Sequence, residues 1–413
     1  VTRRFALRCL LLVLPGLCGA PGYAGSALAP TVILLSWDGL RHDYPDLHPD
    51  RAQLPALARI TANGLRAARL TPVFPANTFP GHVSLATGTH PDRHGIVDNY
   101  FLDRERGTYR YSADADWLDA EPLWIAAERQ GVPTATYFWV GSESDWRGQG
   151  TRYRIAPFDG RRPESAKVEQ IIAWLRLPIP QRPRLVMSYW AGADRAGHSH
   201  GPESPEVRAA LMGQDLALGY LLDALDADDA WGHTTLLLVS DHGMTETGRF
   251  LDLEAALRAA GIVARVFGGA VAQVFLQDPQ QLAIAEAAAR TLGEVRVYRG
   301  AELPARYRLS HPTRTGDLVV MVDPPYTLSR PAGFEGRLMT AMQRLGRGFG
   351  SHGYDPALPD MGGVFMALGR GVSAGWQVPE VHQIDVAATV ARLLDIEPPA
   401  QSEGRPVAGI GAL

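Results

Sequence analysis

The sequence predicts an α/β fold in which a mostly parallel central sheet carries helices on both faces, and three observations carry that reading. Short β-branched and apolar runs recur along the chain, the first of them ending in Asp38-Gly39. Segments with apolar residues at three-to-four spacing lie between the runs. Strands that alternate with helices in this way argue for a parallel sheet covered on both sides.

The strand reading covers residues 31–37, 185–189, 235–240 and 364–368, each a mainly β-branched and apolar run of the kind a strand buried on both faces needs. Helical spacing covers residues 55–63, 121–130, 165–175 and 205–225. An amphipathic helix over 384–394 is stopped by Pro398-Pro399. One stretch departs from the alternation: 272–276, 295–298 and 317–322 are strand-like, with an alanine-rich helix over 281–292. The expectation is one domain over 30–413 with a small α+β insertion at about 250–345.

The chain has 413 residues, of which 46% are hydrophobic, enough for a sizeable buried core. Its formal net charge of -4 excludes the bulk basic field that gathers a nucleic-acid backbone, so no specific nucleic-acid partner is expected. Arg3, Arg4 and Arg8, an apolar run over 9–13 and small residues through Ala29 read as an export signal, residues 1–26, cleaved somewhere in 24–29. The apolar run is broken by Pro15, Gly16 and Gly19 and is too short to cross a membrane. The expected location is periplasmic or secreted, with no transmembrane segment; the oligomeric state is not encoded legibly. Both cysteines, Cys9 and Cys18, fall in the signal, so a metal site in the processed chain would need carboxylate, imidazole or hydroxyl ligands.

In an open parallel sheet, ligands bind beyond the carboxyl ends of the strands. Asp38 follows the first strand, Asp194 and His198 the second, Asp241 and His242 the third, and His352 a glycine-rich stretch. The four-residue spacing of Asp194 and His198 puts both side chains on one face of a helical turn. Asp241 and His242 are adjacent, so only a loop, supplied by Gly243, aims both inward. Each residue alone has an ordinary reading as a turn, cap or satisfied polar group; together they offer hard carboxylates and imidazoles in a mix that suits zinc. Thr78 stands before Pro80-Gly81 and a helix over 83–87, at a helix amino end that attracts phosphate, where it also reads as a simple N-cap.

The run Pro72-Val73-Phe74-Pro75 with Thr78-Phe79-Pro80, then His94-Gly95-Ile96-Val97-Asp98-Asn99, resembles the nucleotide pyrophosphatase/phosphodiesterase family of the alkaline phosphatase superfamily. So do Phe138-Trp139 with Gly141-Ser142, Asp194 with Gly197-His198 and Gly201-Pro202, Val239 to Met244, and His352-Gly353-Tyr354-Asp355. The resemblance runs in order from about Thr31 to Pro398.

What the resemblance implies is an alkaline-phosphatase-like fold and a zinc-dependent phosphodiesterase with two zinc ions. Asp194, His198 and His352 would hold one ion; Asp38, Asp241, His242 and the Thr78 hydroxyl the other. Thr78 would be the nucleophile, Asn99 and the Phe79 N–H donors to a phosphate oxygen, and Phe79, Phe158 and Tyr189 the aromatic sandwich for a nucleobase. The implied substrate is a nucleotide phosphodiester or phosphoanhydride, cleaved to a nucleoside 5'-monophosphate through a phosphothreonine. Phe158 replaces the usual tyrosine, Val140 a proline, and Gly362-Gly363 a His-Ala pair, departures that bear on substrate preference. A lipid headgroup phosphodiesterase, a hydrolase of carbon–phosphorus bonds, and a non-enzymatic zinc-binding envelope protein are the alternatives. His82, His94 and His200 are read as supporting or surface residues.

Overall fold

The computed structural model describes residues 28–47, 53–328 and 349–411; the expected export signal lies outside them. Six strands of the main sheet come early in the chain: β1 (Thr31–Trp37), β2 (Leu65–Ala67), β3 (Thr134–Tyr137), β4 (Tyr153–Ile155), β5 (Leu185–Trp190) and β6 (Thr234–Val239). Next, β7 (Ala264–Gly268), β8 (Val271–Leu276), β9 (Arg296–Arg299) and β10 (Leu318–Met321) form a separate antiparallel sheet, ordered β7-β8-β10-β9. The chain then returns to the main sheet as β11 (Phe365–Gly369) and β12 (Trp376–Val378).

The main sheet runs β12-β2-β11-β6-β1-β5-β3-β4. Its centre is parallel, β1 pairing with both β5 and β6. The strand expected over 364–368 departs from the parallel reading: β11 runs antiparallel to β6 and to β2. An apolar run carries no direction, so sequence pattern alone could not distinguish the two.

The helices that matter are α1 (Pro55–Asn63), α2 (Thr78–Thr87), α3 (Leu123–Glu128), α4 (Glu164–Leu175), α5 (Gly192–His200), α6 (Pro205–Ala227) and α7 (Asp385–Leu394). Side chains alternate along a strand, so β1 divides them cleanly. Val32 and Leu34 pack in one core with Val83 of α2, Leu123 of α3 and Val386 of α7. Ile33 and Leu35 pack in the other with Leu57 of α1, Val168 of α4 and Leu218 of α6. Burying every residue of β1 on both faces is what made the run apolar without alternation.

The small sheet makes a third core with helices Leu253–Ala259 and Leu282–Arg290, and Ala76, Tyr354 and Met361 pack into it. It therefore braces two segments at once, the one leading to Thr78 and the one following His352. No helix of the described residues is long and apolar enough to cross a membrane.

Candidate metal centre

The carboxyl ends of β1, β5 and β6 deliver the acidic residues to one place. Asp38 follows β1 directly, and its N–H donates to the Trp190 carbonyl of β5 at 2.9 Å. The Asp194 N–H in turn donates to the Asp38 carbonyl at 3.2 Å, fastening the first turn of α5 to the end of β1. Between them Gly39 has φ +67°, and a Cβ there would stand 2.9 Å from the Asp194 Cα, so glycine is required twice over. Asp241 lies beyond β6, where its Oδ1 accepts from the Gly39 N–H at 3.2 Å and the His242 N–H at 3.1 Å. The loop expected at Asp241-His242 turns both side chains inward, and both are fully buried.

Three imidazoles complete the cluster. His242 Nε2 lies 3.3 Å from Asp38 Oδ1 and 3.2 Å from Asp241 Oδ2. His198 Nε2 lies 3.3 Å from Asp194 Oδ1, as the four-residue spacing on α5 predicts. His352 Nε2 is 3.6 Å from the same oxygen and 3.1 Å from His198 Nε2. The rings of His242 and His352 stack with centroids 3.6 Å apart. Two trios have their ligand atoms all within 4.8 Å of one another: Asp194, His198 and His352, and Asp38, Asp194 and His242. Asp194 belongs to both, so the two candidate positions adjoin.

The other nitrogen of each ring decides what these Nε2 atoms are. Nδ1 faces a backbone carbonyl in all three: Gly243 for His242 at 2.8 Å, Gly350 for His198 at 3.0 Å and Ala76 for His352 at 3.1 Å. A carbonyl accepts only, so Nδ1 carries the proton and Nε2 presents a lone pair. Asp38 Oδ1, Asp194 Oδ1 and Asp241 Oδ2 are buried with no hydrogen-bond partner among the described residues. Acceptors that converge without donors suit a cation, and carboxylate oxygens beside imidazoles oriented by backbone carbonyls are a donor set that suits zinc.

Electrostatics describe the same site. Burial, then the charges of Asp241 and Asp194, push Asp38 well above the usual carboxylate range. Burial and then His242 and His198 push His352 down to about 3. Burial would also raise Asp194, but His198, with His352 and His242, overrides it and holds the carboxyl at about 2. A bound cation would favour the deprotonated form of every one of these groups.

Thr78 is the first residue of α2; Asn77 takes the N-cap position, with no side-chain cap bond. The Thr78 Oγ1 sits 3.2 Å from His242 Nε2, at the edge of the cluster. One turn on, His82 supports it: Nδ1 donates to the Thr78 carbonyl at 2.8 Å, Nε2 accepts from the Ser36 hydroxyl at 2.8 Å, and Asp241 Oδ2 is 3.3 Å from Nδ1. The i, i+4 spacing of Thr78 and His82 was the available signal for that role. His94 is buried against Ser84, and His200 is exposed at the end of α5.

Asn99 is beside Thr78, but its bonding differs from the expectation. The Phe79 N–H donates to Asn99 Oδ1 at 2.8 Å, so that N–H is occupied and only the Asn99 amide NH₂ remains directed elsewhere. Asp98, buried beneath, accepts from the Asn99 N–H at 2.6 Å and from Asn77 Nδ2 at 2.8 Å. The three aromatics do not form one contact set. Phe158 and Tyr189 meet edge to face at 5.6 Å, whereas Phe79 packs against Tyr111 at 5.1 Å and Tyr109 at 6.1 Å. Tyr111, exposed on a hairpin end with φ 43°, was not anticipated, because a tyrosine just past a short strand carries no pattern that names its partners. The Tyr189 hydroxyl donates to Asp38 Oδ2 at 2.6 Å, tying the aromatic pair to the carboxylate cluster.

The family described as type I phosphodiesterase / nucleotide pyrophosphatase matches residues 32–355. Human ectonucleotide pyrophosphatase/phosphodiesterase family member 1 is 28% identical over 385 residues, covering 89% of this chain and 40% of that protein. A pyrophosphatase/phosphodiesterase of Schizosaccharomyces pombe is 27% identical over 97% of this chain and 83% of its own length. The first-matched curated relatives are thus more than twice as long as the matched region, the chain spanning 40% to 43% of them. Among solved structures, murine ectonucleotide pyrophosphatase/phosphodiesterase 5, as an inactive Thr-to-Ala variant in complex with AMP, superposes with a TM-score of 0.80 at 25% identity, covering 89% of this chain and 96% of that one.

Proposed function

Since the chain belongs to the type I phosphodiesterase / nucleotide pyrophosphatase family of the alkaline phosphatase superfamily, we propose that residues 30–413 act as one exported catalytic domain that hydrolyses phosphodiester or phosphoanhydride bonds of nucleotides, releasing nucleoside 5'-monophosphates. The observation that carries this reading is the position of the Thr78 hydroxyl, at the amino end of α2 and 3.2 Å from His242 at the rim of the acceptor cluster. The inactive Thr-to-Ala relative in complex with AMP supports both a threonine-dependent reaction and a nucleotide ligand.

Two zinc ions are the proposed cofactors, one held by Asp194, His198 and His352, the other by Asp38, Asp241, His242 and the Thr78 oxygen. Bound there, they would supply positive charge that acidifies the threonine hydroxyl and offsets the charge of the phosphoryl oxygens.

The protein's own groups do the rest. Thr78 Oγ1 attacks phosphorus; the new Oγ–P bond forms as the bond to the leaving oxygen breaks, and the hydroxyl proton passes to solvent. Water then adds to phosphorus, the Oγ–P bond breaks, and the hydroxyl is restored. At the amino end of α2 the Asn99 NH₂ stabilises a phosphoryl oxygen. His82 holds Thr78 by its carbonyl, fixing the nucleophile against the strand end. Phe79, Phe158 and Tyr189 bind the base by stacking, which is tolerant of base identity. Neither Thr78 nor Asn99 bonds a guanidinium among the described residues, which favours a singly charged diester over a dianionic monoester.

A panel of zinc-loaded assays tests the reading: an aryl nucleoside 5'-monophosphate diester, a bis-aryl phosphate, an aryl monophosphate and an aryl phosphocholine. Preference for the nucleoside diester is expected. Preference for the phosphocholine ester would move the protein to lipid headgroups, and preference for the monophosphate would overturn the diesterase reading.

A further inference from the structure

Of the 40 lysine and arginine residues in the chain, one is lysine. That residue, Lys167, is on α4 with its side chain 2% exposed. Its Nζ donates to the Tyr189 carbonyl at 2.8 Å, lies 2.7 Å from Glu164 Oε2, and sits 5.8 Å and 5.9 Å from the ring centroids of Phe138 and Tyr189. Glu164 in turn accepts a hydrogen bond from the Ala191 N–H. Ammonium and carboxylate thus grip residues 189 and 191, on either side of the β5–α5 junction.

An ion pair this deep adds little to fold stability over a well-packed apolar pair of the same volume, because both charges lose their hydration. Burial accordingly pushes the Lys167 ammonium down and the Glu164 carboxyl up, each opposed by the partner's charge. A compact ammonium can serve a carbonyl, a carboxylate and two ring faces from one point, where a planar guanidinium would need more room. Stability alone therefore gives no reason for this pair. What it touches does: Tyr189 bonds Asp38 at 2.6 Å and meets Phe158 edge to face, and Phe138, which also meets Phe158 at 5.4 Å, holds a left-handed φ of 59°. Backbone strain in a bulky residue persists where the surroundings over-determine it, commonly at functional sites.

We infer that the Lys167–Glu164 pair is a specificity-determining clamp, with Lys167 the positioning residue that fixes Tyr189 and Phe138 behind the pocket for a nucleobase. The inference rests on the proposed role of Phe158 and Tyr189 in stacking a base. Lys167 does not reach substrate; it acts through the backbone and ring of Tyr189.

The test compares two substrates with one leaving group: the 4-nitrophenyl ester of thymidine 5'-monophosphate, and 4-nitrophenyl methyl phosphate, which has no base. Lys167→Met is expected to lower the kcat/KM ratio between them by about fivefold, the low end of losing one stacking contact, through KM for the nucleoside ester. Because Lys167→Met alone leaves a buried carboxylate uncompensated, the double variant Lys167→Met/Glu164→Leu carries the decision, removing both charges together. A folded double variant with the ratio lost supports the clamp. A folded double variant with the wild-type ratio, an equal loss on both substrates, or a double variant that does not fold at all overturns it. Phe158→Ala separates the premise from the inference. If Phe158→Ala leaves the ratio intact, the stacking premise is wrong and the clamp falls with it. If Phe158→Ala loses the ratio and the double variant keeps it, the clamp alone is wrong.

Discussion

The Nε2 atoms of His198 and His352 stand 3.1 Å apart, each on a ring whose Nδ1 faces a backbone carbonyl. Two lone pairs held that close repel unless something positive lies against both. Chelation is therefore expected to abolish turnover and to lower the melting temperature, since a ligand of the native state stabilises it by mass action. Readdition of zinc should restore both. A melting temperature unmoved by thorough chelation, with activity intact, would remove the metal from the proposal.

Thr78→Ala takes away one hydroxyl and leaves six carboxylate and imidazole side chains in place. Turnover should be lost while bound metal, measured by elemental analysis, is largely kept. Rapid quenching of the unmodified protein with a labelled nucleoside diester should trap label on Thr78. Near-normal turnover by Thr78→Ala would exclude the covalent route.

Much of this centre was legible because the fold class dictates where to look. In a parallel sheet Asp38, Asp194, Asp241 and His242 fall at strand ends, and a strand end is visible in sequence as the close of an apolar run. Helical spacing joined His198 to Asp194 for the same reason. His352 stood out only as a histidine after a glycine-rich stretch, and its grouping with Asp194 and His198 came through the resemblance, because no local pattern tells that its ring stacks on His242 from 110 positions away. The direction of β11 and the contacts of Tyr111 were not legible at all: both are set by tertiary packing, which an apolar run or a lone aromatic does not encode. The Phe79–Asn99 bond escaped too, since it depends on how a hairpin sits against the start of α2.

That bond shapes the next expectation. With its oxygen held by the Phe79 N–H, the Asn99 amide has a fixed orientation, and its NH₂, which also meets the Tyr111 side chain, is the donor proposed for a phosphate oxygen. Asn99→Ala should lower kcat by roughly 10²-fold, as when one oxyanion donor is removed, with a smaller change in KM. A change confined to KM would mean that Asn99 contributes equally to ground state and transition state.

Asp98 gives a pH-dependent stability with a definite sign. Burial raises its carboxyl to about 7, against the opposing bonds from Asn99 and Asn77. Because the folded value lies above the unfolded one, the native chain holds a proton that the unfolded chain has released. The stability linked to this group is thus full below the unfolded value of 3.8 and is lost as pH rises through about 7. Asp98→Asn cannot ionise yet keeps a carbonyl oxygen for both donors. Its melting temperature relative to the unmodified protein should therefore rise between about pH 5 and about pH 8, and a constant difference over that range would show that Asp98 does not titrate there.

Tyr189 offers the sharpest separation of two roles in one side chain. Its ring meets Phe158, while its hydroxyl donates to Asp38 Oδ2 at 2.6 Å, orienting the carboxylate whose other oxygen faces His242. Tyr189→Phe removes the second contact and keeps the first. Partners that orient a metal ligand typically contribute about 10- to 100-fold in metal affinity, so competition with a chelator should reveal a loss of that order. The nucleoside preference should persist, because the aromatic face remains. Were Tyr189→Phe to lose base preference and hold its metal as tightly as before, the hydroxyl would be serving substrate, and Asp38 would owe its orientation to the Gly39 turn alone.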